Sequence, residues 1–411
     1  LKETVFNLTM HNKNHSRNNI WLTLQRNTML TMISLSFGSC GLNSQLQTTE
    51  FLIDVPFDDT SNAVIVEASV NGQGPYQFIL DSGAPTLFTQ SLIEELGLAN
   101  EGAASINDVN RLQQSTSLVR ADSLVIGNLV LNDVDAASLN NQELACLANG
   151  GILGANVLKH GAWEFDFIHK RIRGSNIVSR IIDSQQNLEW LPFTTKFGKN
   201  SPWINVVINE KSFSFLVDTG STRELAMNSA TEREIFGALD STSVHGEGYS
   251  SIGLAGRTLE ASKRVRIPSL QLGSTSYSQA TAQVKTENTN RLGTLFFQGQ
   301  RLIIDWDKKQ LAIKGLAKST PEPLNEYGLT LLGDAEGVFV SYVWAGSEAS
   351  ELGLKPGDRV LEINGNPVSA ASPCYAAPQL NEITGTLILT LLTNGLEHQV
   401  SLDRQIVLGL D

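Results

Sequence analysis

Two stretches of the chain carry the same pattern of apolar and polar positions. Residues 64 to 88, VIVEASVNGQGPYQFILDSGAPTLF, and residues 202 to 227, PWINVVINEKSFSFLVDTGSTRELAM, each alternate as a strand and turn at Asn, Gly or Lys. Each then continues as a second, more apolar strand into Asp-[Ser/Thr]-Gly. The pattern predicts a hairpin that ends on an aspartate. Later landmarks recur in the same order. Asp81 is followed 73 residues on by Gly154 in GGILGANVL, and Asp218 is followed 75 residues on by Gly293 in RLGTLFF. Asp166 and Asp305 lie 12 residues past those glycines, in EFDFIHKRI and IIDWDKKQL, where Asp near Lys predicts a turn. SLVIG at 123 to 127 and SLQLG at 269 to 273 end 46 and 55 residues past the two aspartates. The slip of nine places an insertion between 221 and 268, the segment that holds GEGYSSIGLAG.

The chain therefore contains two copies of a mostly β unit of about 120 residues, joined near 176 to 200. Two copies are too few for a solenoid and pack instead as a pseudo-dimer about an approximate two-fold axis, which brings equivalent residues together. Asp81 and Asp218 are expected to face one another. Carboxylates in contact cannot both ionise cheaply, so they share one proton and supply an acid and a base at one place. Gly83 and Gly220 would let the backbone N–H groups approach the carboxylates. The hydroxyls of Ser82 and Thr219 are placed to bond across the axis. A lone Asp-[Ser/Thr]-Gly is expected on the order of 0.2 times in a chain this long. Two copies with matched landmarks are not a chance surface turn.

At these residues the sequence resembles the aspartic peptidases of the pepsin and retropepsin type. FILDSGA and FLVDTGS resemble that family's catalytic loop, and GILGANVL its later apolar-apolar-Gly element. The resemblance covers residues 50 to about 316. It implies a mainly β fold of two retropepsin-like β-barrel lobes related by pseudo-two-fold symmetry, at 50–180 and 181–316. It also implies a catalytic pair at Asp81 and Asp218, supported in the catalytic loops by Ser82, Gly83, Thr219 and Gly220. Substrate-covering flaps are implied at 100 to 122 and 243 to 258, with Tyr249 as the one flap tyrosine to be found. The chemistry calls for a peptide or protein substrate and for no metal or cofactor. Pro85 after Ala84 departs from the family pattern.

A polar, Pro-containing linker at 317–326 leads to residues 327–405, expected to form a separate domain. GLTLL, GVFVSYVWAGSEASELGLKPGDRVLEINGNPV and TLILTLLTNG resemble a PDZ domain, of α+β class. The resemblance makes Gly328, Leu329, Thr330 and Leu331 a loop whose N–H groups capture a peptide C-terminus while the peptide adds as a strand. Pro373 and Pro378 limit the helix that should wall this groove to little more than a turn.

Composition narrows the reading further. The 411 residues carry a net charge of −12, which repels phosphate backbones and leaves nucleic acid an unexpected partner. Six histidines do not cluster, and Cys40, Cys146 and Cys374 are too few and scattered for a disulfide framework. Cys374 is read as a small packing residue. Residues 1–49 read as a leader. Lys13, Arg17 and Arg26 precede the apolar stretch Met29 to Phe37, and Gly38-Ser39-Cys40 resembles a bacterial lipoprotein cleavage site. Cys40 is then the lipidated residue and the only means of membrane attachment, and the protein is expected to be exported, periplasmic or lipid-anchored. The leading expectation is an aspartic endopeptidase with a PDZ-like module for substrate or partner docking. The alternative is a non-catalytic peptide-binding adaptor that keeps both folds.

Overall fold

The computed structural model describes residues 42–59, 61–107, 113–182, 187–196, 200–237, 243–253, 256–285, 289–315, 324–334, 336–368, 380, 383–393 and 395–408. Cys40, Cys374, Pro373, Pro378 and most of the 317–326 linker lie outside these residues.

Both aspartate hairpins form where the alternation places them. Strands Ile65–Val70 and Gln73–Leu80 turn at Asn71 and Gly72, both at positive φ, and strands Pro202–Ile208 and Lys211–Val217 turn at Asn209 and Glu210, again both positive. Two consecutive positive-φ residues make the tight turn whose twist suits flanking strands. In each lobe six strands close into a barrel. In the first, Leu129–Leu139 pairs with both Leu87–Thr89 and Gln113–Ile126 and completes the ring. In the second, Gly256–Leu272 pairs with Thr275–Lys285 and, through Gln271, with Pro202–Ile208. Closure leaves each barrel without an open edge at its core. The protein is mainly β, with two such barrels.

The lobes join through a six-stranded sheet to which each contributes three strands. Its central pair is Ala162–Asp166 of the first lobe against Arg301–Asp305 of the second, with Trp163 opposite Ile304. The pseudo-two-fold axis runs between these two strands. Asp166 and Asp305 close the following turns, accepting the N–H groups of Ile168 and His169 and of Lys308. One apolar core, from Phe51 to Leu311, runs through both lobes. Residues 42–49, expected to lie outside the fold, belong to the first lobe: Gln45–Leu46 pairs with Leu131 and Asn132, and Leu46 packs on the core. Two residues of strand are too short a pattern to be read from alternation.

The carboxyl-terminal unit has its own core, from Tyr327 to Leu402. It is nevertheless not separate. Its strand Gly337–Trp344 pairs with Ser243–Gly253 of the second lobe, Gly246 opposite Trp344 and Gly248 opposite Tyr342, so one sheet runs from the barrel into this unit. Gly328 has φ of 78° and leads into the strand Leu329–Asp334, with Leu329 and Leu331 buried in the core. Leu329, Thr330 and Leu331 are therefore strand and not loop. They stand on the edge of the sheet, paired on one side with Gly337–Trp344 and, among the described residues, with no strand on the other.

Candidate active site

Each aspartate is placed by the strand before it and the glycine element behind it. Gln73–Leu80 runs parallel to Gly151–Leu153, and Lys211–Val217 parallel to Arg291–Leu292. The Asp81 N–H donates to the Leu153 carbonyl at 2.9 Å and the Asp218 N–H to the Leu292 carbonyl at 2.9 Å. After each aspartate the loop is tied to the same element: Ala155 N–H donates to Ala84 O, and Thr294 N–H to Ser221 O, both at 2.8 Å. These equivalent bonds bring the two loops to one place.

The loops interlock across the axis. The Ser82 N–H donates to Thr219 Oγ1 at 3.0 Å, and the Thr219 N–H donates to Ser82 Oγ at 3.1 Å. Each hydroxyl then donates onward, Ser82 to Val217 O and Thr219 to Leu80 O, both at 2.7 Å. Ser82 and Thr219 are fully buried, so breaking this ring would strand polar groups away from water. A Cβ on Gly83 would lie 2.7 Å from Asp218 Oδ1, and one on Gly220 would lie 2.1 Å from Asp81 Oδ2. Each glycine thus lies against the other lobe's carboxyl, and no side chain fits there. Ser201 Oγ donating to Gly83 O and Thr294 Oγ1 donating to Asn62 O add further bonds between the lobes.

The two carboxyls are held differently. Asp81, 8% exposed, accepts the N–H groups of Gly83 and Ala84 on Oδ1, at 2.7 and 3.1 Å. Asp218 accepts the Gly220 N–H on Oδ1 at 3.2 Å, and its Oδ2 lies 3.1 Å from Arg291 Nε. Burial, and then the neighbouring Asp218 carboxylate, holds the Asp81 pKa well above the usual carboxylate range. The arrangement holds a carboxyl with a raised pKa in contact with a second carboxyl. Sequence reasoning did not single out Arg291. The available signal was a charged residue in the apolar-apolar-Gly element, where the first lobe has Ile152 before Leu153 and Gly154.

Each lobe carries a long hairpin in the segment where a flap was expected. The first joins Asn100–Asn107 to Gln113–Ile126, and the second joins Ser243–Gly253 to Gly256–Leu272. The second is built into the carboxyl-terminal unit. Tyr249, expected on a flap over the cleft, packs edge-on against Phe339, ring centroids 6.0 Å apart. Arg257 bonds Gly333 O at 3.0 Å and pairs with Glu143 of the first lobe at 2.6 Å, while Ser262 and Tyr342 share a hydrogen bond of 2.8 Å. Arg264 pairs with Glu326 at 2.7 Å and lies over the Trp344 ring. This docking hairpin begins 25 residues past Asp218, where the first begins 19 past Asp81, so most of the extra length of the second repeat precedes it.

Other expectations meet the structure less simply. Cys146, on the helix Gln142–Leu147, is disulfide-bonded, a bridge that the reading of three cysteines as too few and scattered for a framework did not anticipate. The sequence's other cysteines, Cys40 and Cys374, lie outside the described residues. His160 lies 2.8 Å from Ser44 Oγ, and burial lowers its pKa to about 4. Among the described residues no three His, Cys, Asp or Glu side chains are arranged to hold a metal, and no helix is long and apolar enough to cross a membrane.

Comparisons with known proteins fall on the same two regions. Residues 66–157 match the aspartyl protease family, and residues 317–392 match the PDZ domain family. A solved aspartic proteinase from Irpex lacteus is similar at 12% identity, with a TM-score of 0.41, over 66% of this chain and 99% of that chain. No curated protein matches the sequence.

Proposed function

We propose that this chain, an aspartic peptidase fold carrying a PDZ domain, is an endopeptidase that hydrolyses peptide bonds with a water molecule activated between Asp81 and Asp218. The observation that carries the reading is the interlock of Ser82 and Thr219, which sets the buried Asp81 carboxyl, its pKa raised, against the part-buried carboxyl of Asp218. The ionised carboxyl takes a proton from water as the water oxygen bonds to the scissile carbonyl carbon. The protonated carboxyl gives its proton to the carbonyl oxygen, leaving a neutral gem-diol. In the second step a gem-diol hydroxyl returns a proton to one carboxyl, the amide nitrogen takes a proton from the other, and the C–N bond breaks. A carboxylic acid and an amine leave, and the pair again holds one proton. General acid–base help of this kind contributes roughly 10²- to 10⁴-fold in rate.

The PDZ domain acts in this reading as a fixed support for the second hairpin. Three backbone pairings, Tyr249 on Phe339 and the Arg264–Glu326 pair hold it there. A peptide C-terminus would add at the strand edge Leu329–Leu331, on the side of the sheet away from the hairpin.

The test is turnover of an unbiased peptide mixture by the intact protein from pH 3 to 8. Internal cleavage with a bell-shaped dependence on pH is expected. Tight peptide binding with no cleavage at any pH would replace the enzyme with an adaptor.

A further inference from the structure

We infer that Arg291 is a positioning residue that breaks the symmetry of the pair, keeping Asp218 as the ionised partner and leaving the shared proton on Asp81. This rests on the peptidase reading for its kinetic consequence but not for its geometry. The register makes Arg291 the counterpart of Ile152. Arg291 stands opposite Leu216, two residues before Asp218, and Ile152 stands opposite Ile79, two residues before Asp81. On their other sides they face Ala226 and Leu87. Ile152 packs among Ile65, Ile79 and Leu87, as an interior strand position requires. The second lobe places a guanidinium in that register, 8% exposed.

A buried guanidinium cannot shed its proton, so it must keep a negative partner. Its Nε reaches Asp218 Oδ2, with the two side chains 10% and 13% exposed, where solvent screens the attraction little. Protonating Asp218 would cost Arg291 this charge pair. Protonating Asp81 strands nothing: among the described residues no cation pairs with Asp81, and Ala84 stands where the second loop has the hydroxyl of Ser221. Lys285 lies near both Arg291 and Arg223. Lys285 pairs with Glu260, and burial foremost, with Arg223 and Arg291 adding to it, pushes the Lys285 ammonium pKa down against that carboxylate.

Arg291→Ile, which restores the first lobe's residue, and Arg291→Lys, which keeps the charge, separate this role from a structural one. In the intact protein the acid limb of kcat/KM against pH is expected to move upward by about one unit or more in Arg291→Ile, and by less in Arg291→Lys. A uniform loss with the limb unmoved in both variants would mean that Arg291 only packs, and would overturn the inference. Carboxyl carbon-13 titration of labelled aspartate, assigned with Asp81→Asn and Asp218→Asn, reads the same pair without turnover. There the lower of the two steps should rise by a similar amount in Arg291→Ile, and an unmoved step overturns the inference. A parent that cleaves nothing yet shows this shift would sink the peptidase reading alone.

Discussion

Asp81 carries a cost that the fold accepts. Burial and the Asp218 carboxylate raise its pKa in the folded chain, so the native state keeps a proton that the unfolded chain releases. Where the native state binds more protons than the unfolded one, stability falls as pH rises. The penalty is absent below the ordinary carboxylate range and complete above the raised pKa. Asp81→Asn removes the group that must ionise, so its Tm should exceed that of the parent at pH 8 and converge with it at pH 3. A parent that stays the more stable protein at pH 8 would show that Asp81 is not buried at a cost. Both aspartates could be located from the sequence because each ends an alternating hairpin and is followed by matched landmarks. Arg291 could not, because its pairing with Asp218 joins residues 73 apart and leaves no local periodicity.

At the scale of elements, the hairpin Ser243–Gly253 is what ties the second lobe to the PDZ domain. A Cβ on Gly248 would lie 2.2 Å from Ser341 O and 2.5 Å from Tyr342 Cα, so Gly248→Val cannot keep the pairing. Amide exchange at 246–248 and 342–344 should then quicken at least tenfold, about 1.4 kcal/mol of lost local stability, while exchange in the barrel of the first lobe stays as it was. Unchanged exchange at both segments would mean that the two edges are not bonded. The slip of nine marked where the second repeat differs, and the alternation marked its strands. What the hairpin pairs with was not legible, since strand edges join through backbone groups that every residue carries. Leu329–Leu331 read as a loop because the PDZ resemblance assigned one there. Its buried alternation, with Leu329 and Leu331 inward, is short and follows a positive-φ glycine.

Across the whole molecule, the two lobes build one site that neither could build alone. The shared sheet of three strands from each lobe fixes the axis, the Ser82–Thr219 ring fixes the loops on it, and Gly83 and Gly220 let the carboxyls meet. The disulfide at Cys146 and the first-lobe strand Gln45–Leu46 add ties that neither the cysteine count nor the leader-like composition announced. If the pair works as one unit, its members cannot contribute separately. The direct measurement is a double-mutant cycle in kcat/KM with Asp81→Asn, Asp218→Asn and both together. Each single substitution should cost about 10⁴-fold or more, and the double should be no worse than the poorer single. Losses that simply multiply, or a single variant within tenfold of the parent, would contradict a shared pair.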